Sequence, residues 1–288
     1  MAPARQTLAP GREHWRHGPI DLVVEAWGEP AAVARARSAA WDRYQQVLGE
    51  LVRELAALRA PVSARRSVHG PVARRMMAAC VVHAPDFITP MAAVAGSVAD
   101  EIIGYFERPG VRRAFVNNGG DIAIHLATGE SLRIGIVPQV CRPVVDGDVT
   151  LPAHGPVRGI ATSGWRGRSF SLGIADSVTV LAATAAAADA AATMIANAVN
   201  ADHPAIRRLP ACELKDDSDL GDRLVTVDVG ALPDRLVAVA LDRGVAAAES
   251  LRARGLVVGV ALALQQQWRN VGPTGLALPH PPAAQFAA

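Results

Sequence analysis

The chain has 288 residues, half of them apolar and only 19% charged, with a net charge of +2. That length supplies one large domain or two intimate halves with a sizeable core. Near-balanced charge without a clustered basic face excludes a nucleic-acid binder driven by phosphate neutralisation, and no apolar run reaches the ~18 residues of a membrane span.

The N-terminus, M-A-P-A-R-Q-T-L-A-P-G-R, has no apolar signal core and no cysteine for lipid attachment, so a cytoplasmic protein is expected. Cys80, Cys141 and Cys212 are isolated, with neither a disulfide framework nor zinc-ligand spacing. Residues 1–18 read as a loose arm, followed by strand-like I-D-L-V-V-E-A-W. A long helix is expected from Glu29 to Arg59, started near Glu29-Pro30 and stopped by Pro61. Trp41, Tyr44, Leu48, Leu51, Leu55 and Leu58 recur at three and four residues and make one apolar seam. The seam suits packing on the protein's own sheet, or a homodimer, although it runs for under three heptads. Arg65-Arg66 and Arg74-Arg75 read as solvated surface, or as guanidinium forks for an anionic ligand.

Thr89-Pro90 begins a second helix, an N-cap followed by proline at the first helical position, running to about Phe106. From about Arg113 to Val137 the period changes to two, with strands over Phe115–Asn117, Asp121–Leu126 and Leu132–Ile136. The first two are joined by N-N-G-G, a tight turn in which glycine takes positive φ readily. Backbone N–H groups of such a turn can approach anionic groups, which makes Asn118, Gly119, Gly120 and Asp121 candidate ligand contacts. His69, His83 and His125 are scattered and lack partners at ligand spacing, and the acidic loop Asp216–Asp222 lacks the calcium-loop pattern.

Another strand ends at Ile160-Ala161. Thr162, Ser163 and Gly164 follow, with small hydroxyls and a flexible glycine suited to phosphate or ribose. No G-x-S-x-G elbow surrounds Ser163, which argues against a covalent nucleophile. Asp176 stands near the start of a strand over Ile174–Ala182, either as a ligand contact or as a turn acceptor. An alanine-rich helix runs from about Thr184 to Val199. On it Asp189 and Thr193 stand four residues apart on one face, with Asn197 one turn further. A carboxylate and a hydroxyl amid alanines form an oxygen-rich notch suited to Mg²⁺ and the oxygens of a phosphate. Residues 202–223 read as a polar loop, then come a strand R-L-V-T-V-D-V, a helix Ala231–Arg254, an apolar strand Leu256–Leu264 and a disordered Pro/Ala-rich tail over 269–288. The fold class is α+β, a largely antiparallel sheet covered by helices, with 19–268 as a single domain.

Four segments in order, V-N-N-G-G-D-I-A-I, L-R-I-G-I-V-P, I-A-T-S-G and S-V-T-V followed by the Ala-Asp-x-x-x-Thr helix, resemble the ApbE superfamily of FAD:protein FMN transferases. More narrowly the chain resembles the ApbE-related group UPF0280 over most of residues 10–270, including T-P-M-A-A-V-A-G-S-V-A-D-E-I and G-L-V-V-G-V-A-L-A-L-Q. The resemblance implies a T-fold-like, internally duplicated topology. It implies FAD or a related phosphorylated small molecule as ligand, with Asp189 and Thr193 helping to bind Mg²⁺ beside its pyrophosphate. The pattern also departs from the family. In the transferases S-G is followed by a long segment with a His-x-x-Asp-Pro-x-Thr-Gly element, whereas here only W-R-G-R-S-F-S-L-G-I-A separates Gly164 from Asp176. Two functions follow: a Mg²⁺-assisted flavin transferase or pyrophosphatase, and an accessory ligand-binding protein without the transferase loop. The narrow group's association with sulfur assimilation and homocysteine formation suits the second.

Overall fold

Alternating burial builds the strands over 12–17, 20–28 and 111–118, and distant carboxylates meet the starts of three helices. The computed structural model describes residues 2–63, 67–136 and 147–273. In chain order these form β1 (Ala4–Ala9), β2 (Arg12–His17), β3 (Ile20–Gly28), α1 (Pro30–Arg53), α2 (Leu55–Leu58), α3 (Pro71–Val81) and, after a 3₁₀ turn at Pro90–Ala93, α4 (Val94–Ile103). Then come β4 (Val111–Asn118), β5 (Asp121–Leu126), β6 (Ser131–Ile136), β7 (Gly147–Pro152), β8 (Gly159–Ser163), β9 (Ser177–Ala182) and α5 (Ala185–Ala198). The chain closes with β10 (Ile206–Pro210), α6 (Ala211–Leu214), β11 (Leu224–Val229), α7 (Asp234–Ala253), β12 (Gly259–Leu264) and β13 (Gln267–Val271).

The described residues fall into two compact units, the first within Met1–Leu132, Leu151–Ala161 and Leu181–Ala190, the second within Arg133–Thr150, Thr162–Val180 and Ala191–Ala288. In the first, β1-β2-β3-β4-β5 lie in that order, and β5 pairs with the start of β8 through Ile122↔Ile160. The β1–β5 pairings are antiparallel throughout. α1 and α4 cover this sheet, and the expected seam faces the core: Tyr44, Leu51 and Leu58 are buried while Trp41 and Leu48 pack against them. In the second unit β12 pairs antiparallel with β13 under α7, and β10 with β11 forms a separate ribbon.

Residues 4–17 form a hairpin where the sequence reads as a loose arm. Glu13 explains the difference. It is buried, accepts both Arg5 Nε at 2.6 Å and Arg5 Nη2 at 2.9 Å, and also accepts the Trp15 indole N–H at 2.8 Å. The Arg5 guanidinium lies 5.7 Å from the ring centroids of both Trp15 and Trp41. Burial penalises the Glu13 carboxylate, but the hydrogen bonds from Arg5 and Trp15, with the charges of Arg5 and Arg37, outweigh it and hold its pKa below the ordinary value.

Further differences have similar causes. The long first helix breaks at Glu54, whose carboxylate turns to accept the His69 and Gly70 N–H groups at 2.6 and 2.7 Å, at the start of α3. Arg75, expected on solvated surface, pairs with Glu101 at 2.9 Å, and Glu101 also takes Arg43 at 2.7 Å. Residues 206–214, expected as loop, are β10 and α6, and residues 269–271, expected as tail, complete β13 beside β12. The rest of the expected tail, from 274 on, and Arg65, Arg66 and Cys141 lie outside the described residues.

Helices α4 and α5 meet at closest approach over Gly96, where a Cβ would come within 2.2 Å of the Ala185 carbonyl oxygen. Gly96→Ala should therefore cost about 1–3 kcal/mol by overpacking. Gly104→Ala, whose Cβ would meet nothing within 4 Å, should stay within about 1 kcal/mol of wild type. Equal loss in both variants by chemical denaturation would contradict this packing.

Candidate functional site

Gly119 and Gly120, at φ 67° and 117°, make the two-residue turn between β4 and β5, with Asn118 opposite Asp121. The Asn117 side-chain oxygen accepts the Gly120 N–H at 2.8 Å and closes the turn. Asn118 is buried and donates its amide to the Ala95 carbonyl at 3.1 Å, so the turn is tied to the first turn of α4.

The start of α4 has a second tie. Asp189 on α5 accepts the Gly96 N–H at 2.9 Å and bonds the Ala95 N–H as well. The relation is reciprocal, because Asp100 on α4 accepts the first N–H groups of α5, Ala185 at 3.0 Å and Ala186 at 2.8 Å. Thr184 takes the next, Ala187, at 3.2 Å. Each helix thus supplies the carboxylate that satisfies the other's unpaired amino-terminal N–H groups, where the helix dipole also favours an anion. Sequence reading places Asp100 on its helix without giving it this role. Only its spacing from a glycine one turn earlier hints at a close helix crossing.

Burial, followed by the nearby charge of Asp121, pushes the Asp189 carboxyl well above its ordinary pKa, and the Gly96 and Ala95 N–H groups draw it only partly back. Asp100 is also raised, by burial above all. Asn118, Asp121 and Asp189, all predicted from sequence, are thereby brought together in the first unit. Thr193 lies one turn beyond Asp189 on α5, partly buried. Asn197 turns to another task, accepting the Leu172 N–H at 2.9 Å. Among the described residues no three His, Cys, Asp or Glu side chains cluster at metal-binding distance.

In the second unit, the exposed Thr162 shares a 2.9 Å hydrogen bond with Thr179, and Ser163 is partly buried. Gly164 packs so closely on the Asp176 carbonyl that a Cβ would fall within 2.4 Å. Asp176 acts as a structural acceptor, bonded by the Trp165 indole N–H at 3.1 Å, Arg166 Nε at 3.4 Å and the Gln265 N–H at 2.7 Å. A concavity of about 860 Å³ opens at the other end of β4 and β5, lined by Glu29, Arg108, Val111 and His125 among others, and holds none of the predicted residues. Among the described residues no helix is long and apolar enough to cross a membrane.

Because the folded-state pKa of Asp189 lies above its ordinary value of 3.8, the folded protein holds that proton more tightly than the unfolded chain. Its contribution is complete below 3.8 and is lost as pH rises through the folded value. Unfolding of wild type and Asp189→Asn across about pH 3 to 7 should show the difference moving in the variant's favour with rising pH. A pH-independent difference would mean that the carboxyl does not titrate abnormally.

Residues 5–270 match the family described as AbpE bacteria. A UPF0280 protein from Methanosphaerula palustris is 41% identical over 134 residues, covering 46% of this chain and 54% of that protein. A UPF0280 protein from Methanopyrus kandleri is 31% identical over 193 residues, 67% of this chain and 74% of that protein. The chain spans about half the length of the first curated relatives it matches. The flavin transferase ApbE from Vibrio cholerae superposes with a TM-score of 0.52 at 12% identity, over 95% of this chain and 98% of that one, a likeness of fold. With its mixed helices and antiparallel sheets in that fold, and with the match running over nearly its whole length, the chain belongs to the AbpE bacteria family and to the UPF0280 group.

Proposed function

We propose that this chain is a flavin-processing protein whose Asn118–Asp121 turn and Asp189 belong to a Mg²⁺-assisted site for FAD or a related phosphorylated ligand. The observation that carries the reading is the placement of two carboxylates, Asp121 at the glycine turn and the buried Asp189 tied to the first turn of α4, near enough for their charges to repel. A divalent cation would relieve that repulsion. The donor set is hard oxygen, carboxylates on Asp121 and Asp189 with the Thr193 hydroxyl added by helical spacing, and this suits Mg²⁺. Two backbone N–H groups leave acceptor capacity on the Asp189 carboxylate, which has about four lone-pair sites. When bound, Mg²⁺ would polarise a phosphoryl oxygen and neutralise developing charge.

The chain's own residues do the positioning. Asn118 holds the first turn of α4 against the glycine turn, whose Gly120 N–H is taken by Asn117 Oδ1, and the missing side chains of Gly119-Gly120 let a phosphate approach the turn. In the second unit, taken by itself, the Thr162-Ser163-Gly164 segment offers hydroxyls suited to phosphate or ribose. A second reading is an accessory ligand-binding protein, favoured by the eleven residues between Gly164 and Asp176 that carry no His-x-x-Asp-Pro-x-Thr-Gly element. The flavin transferase ApbE from Vibrio cholerae shares the fold, and a fold hosts more than one function.

Calorimetric titration of FAD with and without Mg²⁺, with released FMN and AMP followed over time, separates these readings. Mg²⁺-dependent binding with product release is the expected result, whereas binding without product identifies the accessory protein. Asp121→Asn leaves the N–H bonds of Asp189 in place and should weaken Mg²⁺ binding at least roughly tenfold while raising thermal stability without metal. Metal binding should also displace a proton, so Mg²⁺ should stabilise the protein more near neutrality than in acid. Absence of FAD binding under every condition would sink the flavin reading.

A further inference from the structure

The second unit contains an aromatic ring held with more constraints than a surface tryptophan requires. Trp165 donates its backbone N–H to the Ala175 carbonyl at 3.0 Å and its indole N–H to Asp176 Oδ1 at 3.1 Å. Asp176 is itself fixed, because its other oxygen accepts the Gln265 N–H at 2.7 Å. That N–H belongs to the β12–β13 turn, where Gln265 and Gln266 sit at φ 44° and 67°, a left-handed conformation that costs non-glycine residues energy. Gln265 is kept there by its side chain, which accepts the Leu232 N–H at 3.0 Å and donates to the Gly230 carbonyl at 2.7 Å. A chain of hydrogen bonds therefore runs from a strained turn to the edge of one indole.

The ring is approached by one half-exposed group. The Arg166 guanidinium lies 4.3 Å from the Trp165 centroid, and the Arg166 side chain is 50% exposed. Its Nε reaches Asp176 only at 3.4 Å. Arg168, two residues on, is exposed as well. An indole of fixed orientation loses little freedom when a flat ring stacks on it, and guanidinium groups beside it match phosphate oxygens in geometry and charge.

We propose that Trp165 is the stacking platform for a planar heteroaromatic ring of a phosphorylated ligand, with Arg166 leaving the ring face to meet the phosphate. Asp176 and the Gln265-Gln266 turn are positioning residues for that platform. The inference rests on the proposed function for the presence of a phosphorylated ligand, and it places ring recognition in the second unit, in the short segment between Gly164 and Asp176.

The test uses the full chain and four probes, FAD, FMN, AMP and ringless inorganic pyrophosphate, each titrated with Mg²⁺ present. Binding of a ring-bearing probe should quench tryptophan emission in wild type, and that component should vanish in Trp165→Phe while affinity stays within a few-fold. Trp165→Ala should bind ring-bearing probes roughly 5- to 150-fold more weakly and leave pyrophosphate unchanged. Asp176→Asn, which retains an acceptor oxygen, should fall between the two. If AMP alone binds in this Trp165-dependent way, the platform stands and the flavin reading falls. If FAD binds equally to wild type and Trp165→Ala, or quenching survives in Trp165→Phe, the platform is overturned and the flavin reading stands. If no ring-bearing probe binds wild type, the contact is a surface cation–π pair only and the inference is wrong.

Discussion

The exchange of carboxylates between α4 and α5 is the interaction on which the rest of the first unit depends. Asp100 and Asp189 each satisfy backbone N–H groups at the start of the opposite helix, across 85 and 93 residues of sequence. Each bond offsets a cost that an exposed helix end would leave to water and a buried one would leave unmet. The exchange also sets distance. With both carboxylates engaged the helices can approach only where a side chain is missing, and Gly96 against the Ala185 carbonyl is that place. Asn118 extends the tie to the β4–β5 turn, so the loop nearest Asp189 is fixed by the same few atoms that start the helices.

Much of this architecture is legible in the sequence. The period of two from about Arg113, the Gly-Gly turn, the Thr89-Pro90 helix start and the apolar seam of α1 are local signals, and the structure carries them with shifts of a few residues. Asp121 and Asp189 stand out by chemistry in surroundings of glycine and alanine, and they are neighbours in space. What sequence conceals is long-range acceptance. Capping rules look for a side chain at the helix start, and Gly70 and Ala93, at the starts of α3 and α4, provide none. The acceptors are Glu54 and Asp189, far away in sequence. The same blindness makes residues 4–17 look like a loose arm, because nothing local shows that Glu13 will be buried and bonded by Arg5, Trp15 and Arg37.

Asp176 shows how sequence leaves two roles open. Standing next to a strand and near T-S-G, it has the profile of a ligand contact, yet its oxygens are engaged by the indole of Trp165, by Arg166 and by the Gln265 backbone. Two glutamines in left-handed conformation are not a sequence signal for a hairpin, which favours Asn-Gly or Asp-Gly at those places. Their geometry is held from outside, by Asp176 and by the Gly230–Leu232 segment. Of the two roles read from sequence, ligand contact or turn acceptor, the hydrogen bonds of Asp176 display the acceptor role, with the Gln265 backbone as one of its donors.

The first unit is assembled from three separated stretches of chain, the last of them residues 181–190. On the ribosome its sheet strands and α4 are therefore synthesised well before the carboxylate that completes α4. At about 5–20 residues per second, the interval between residue 103 and residue 189 is on the order of 4 to 17 seconds. During that time the Ala95 and Gly96 N–H groups at the amino end of α4 lack the Asp189 carboxylate, and the unit cannot close by vectorial folding of its amino-terminal part alone. Truncations or stalled chains ending before the alanine-rich helix would thus present an open face of β4, β5 and α4 to cellular quality control.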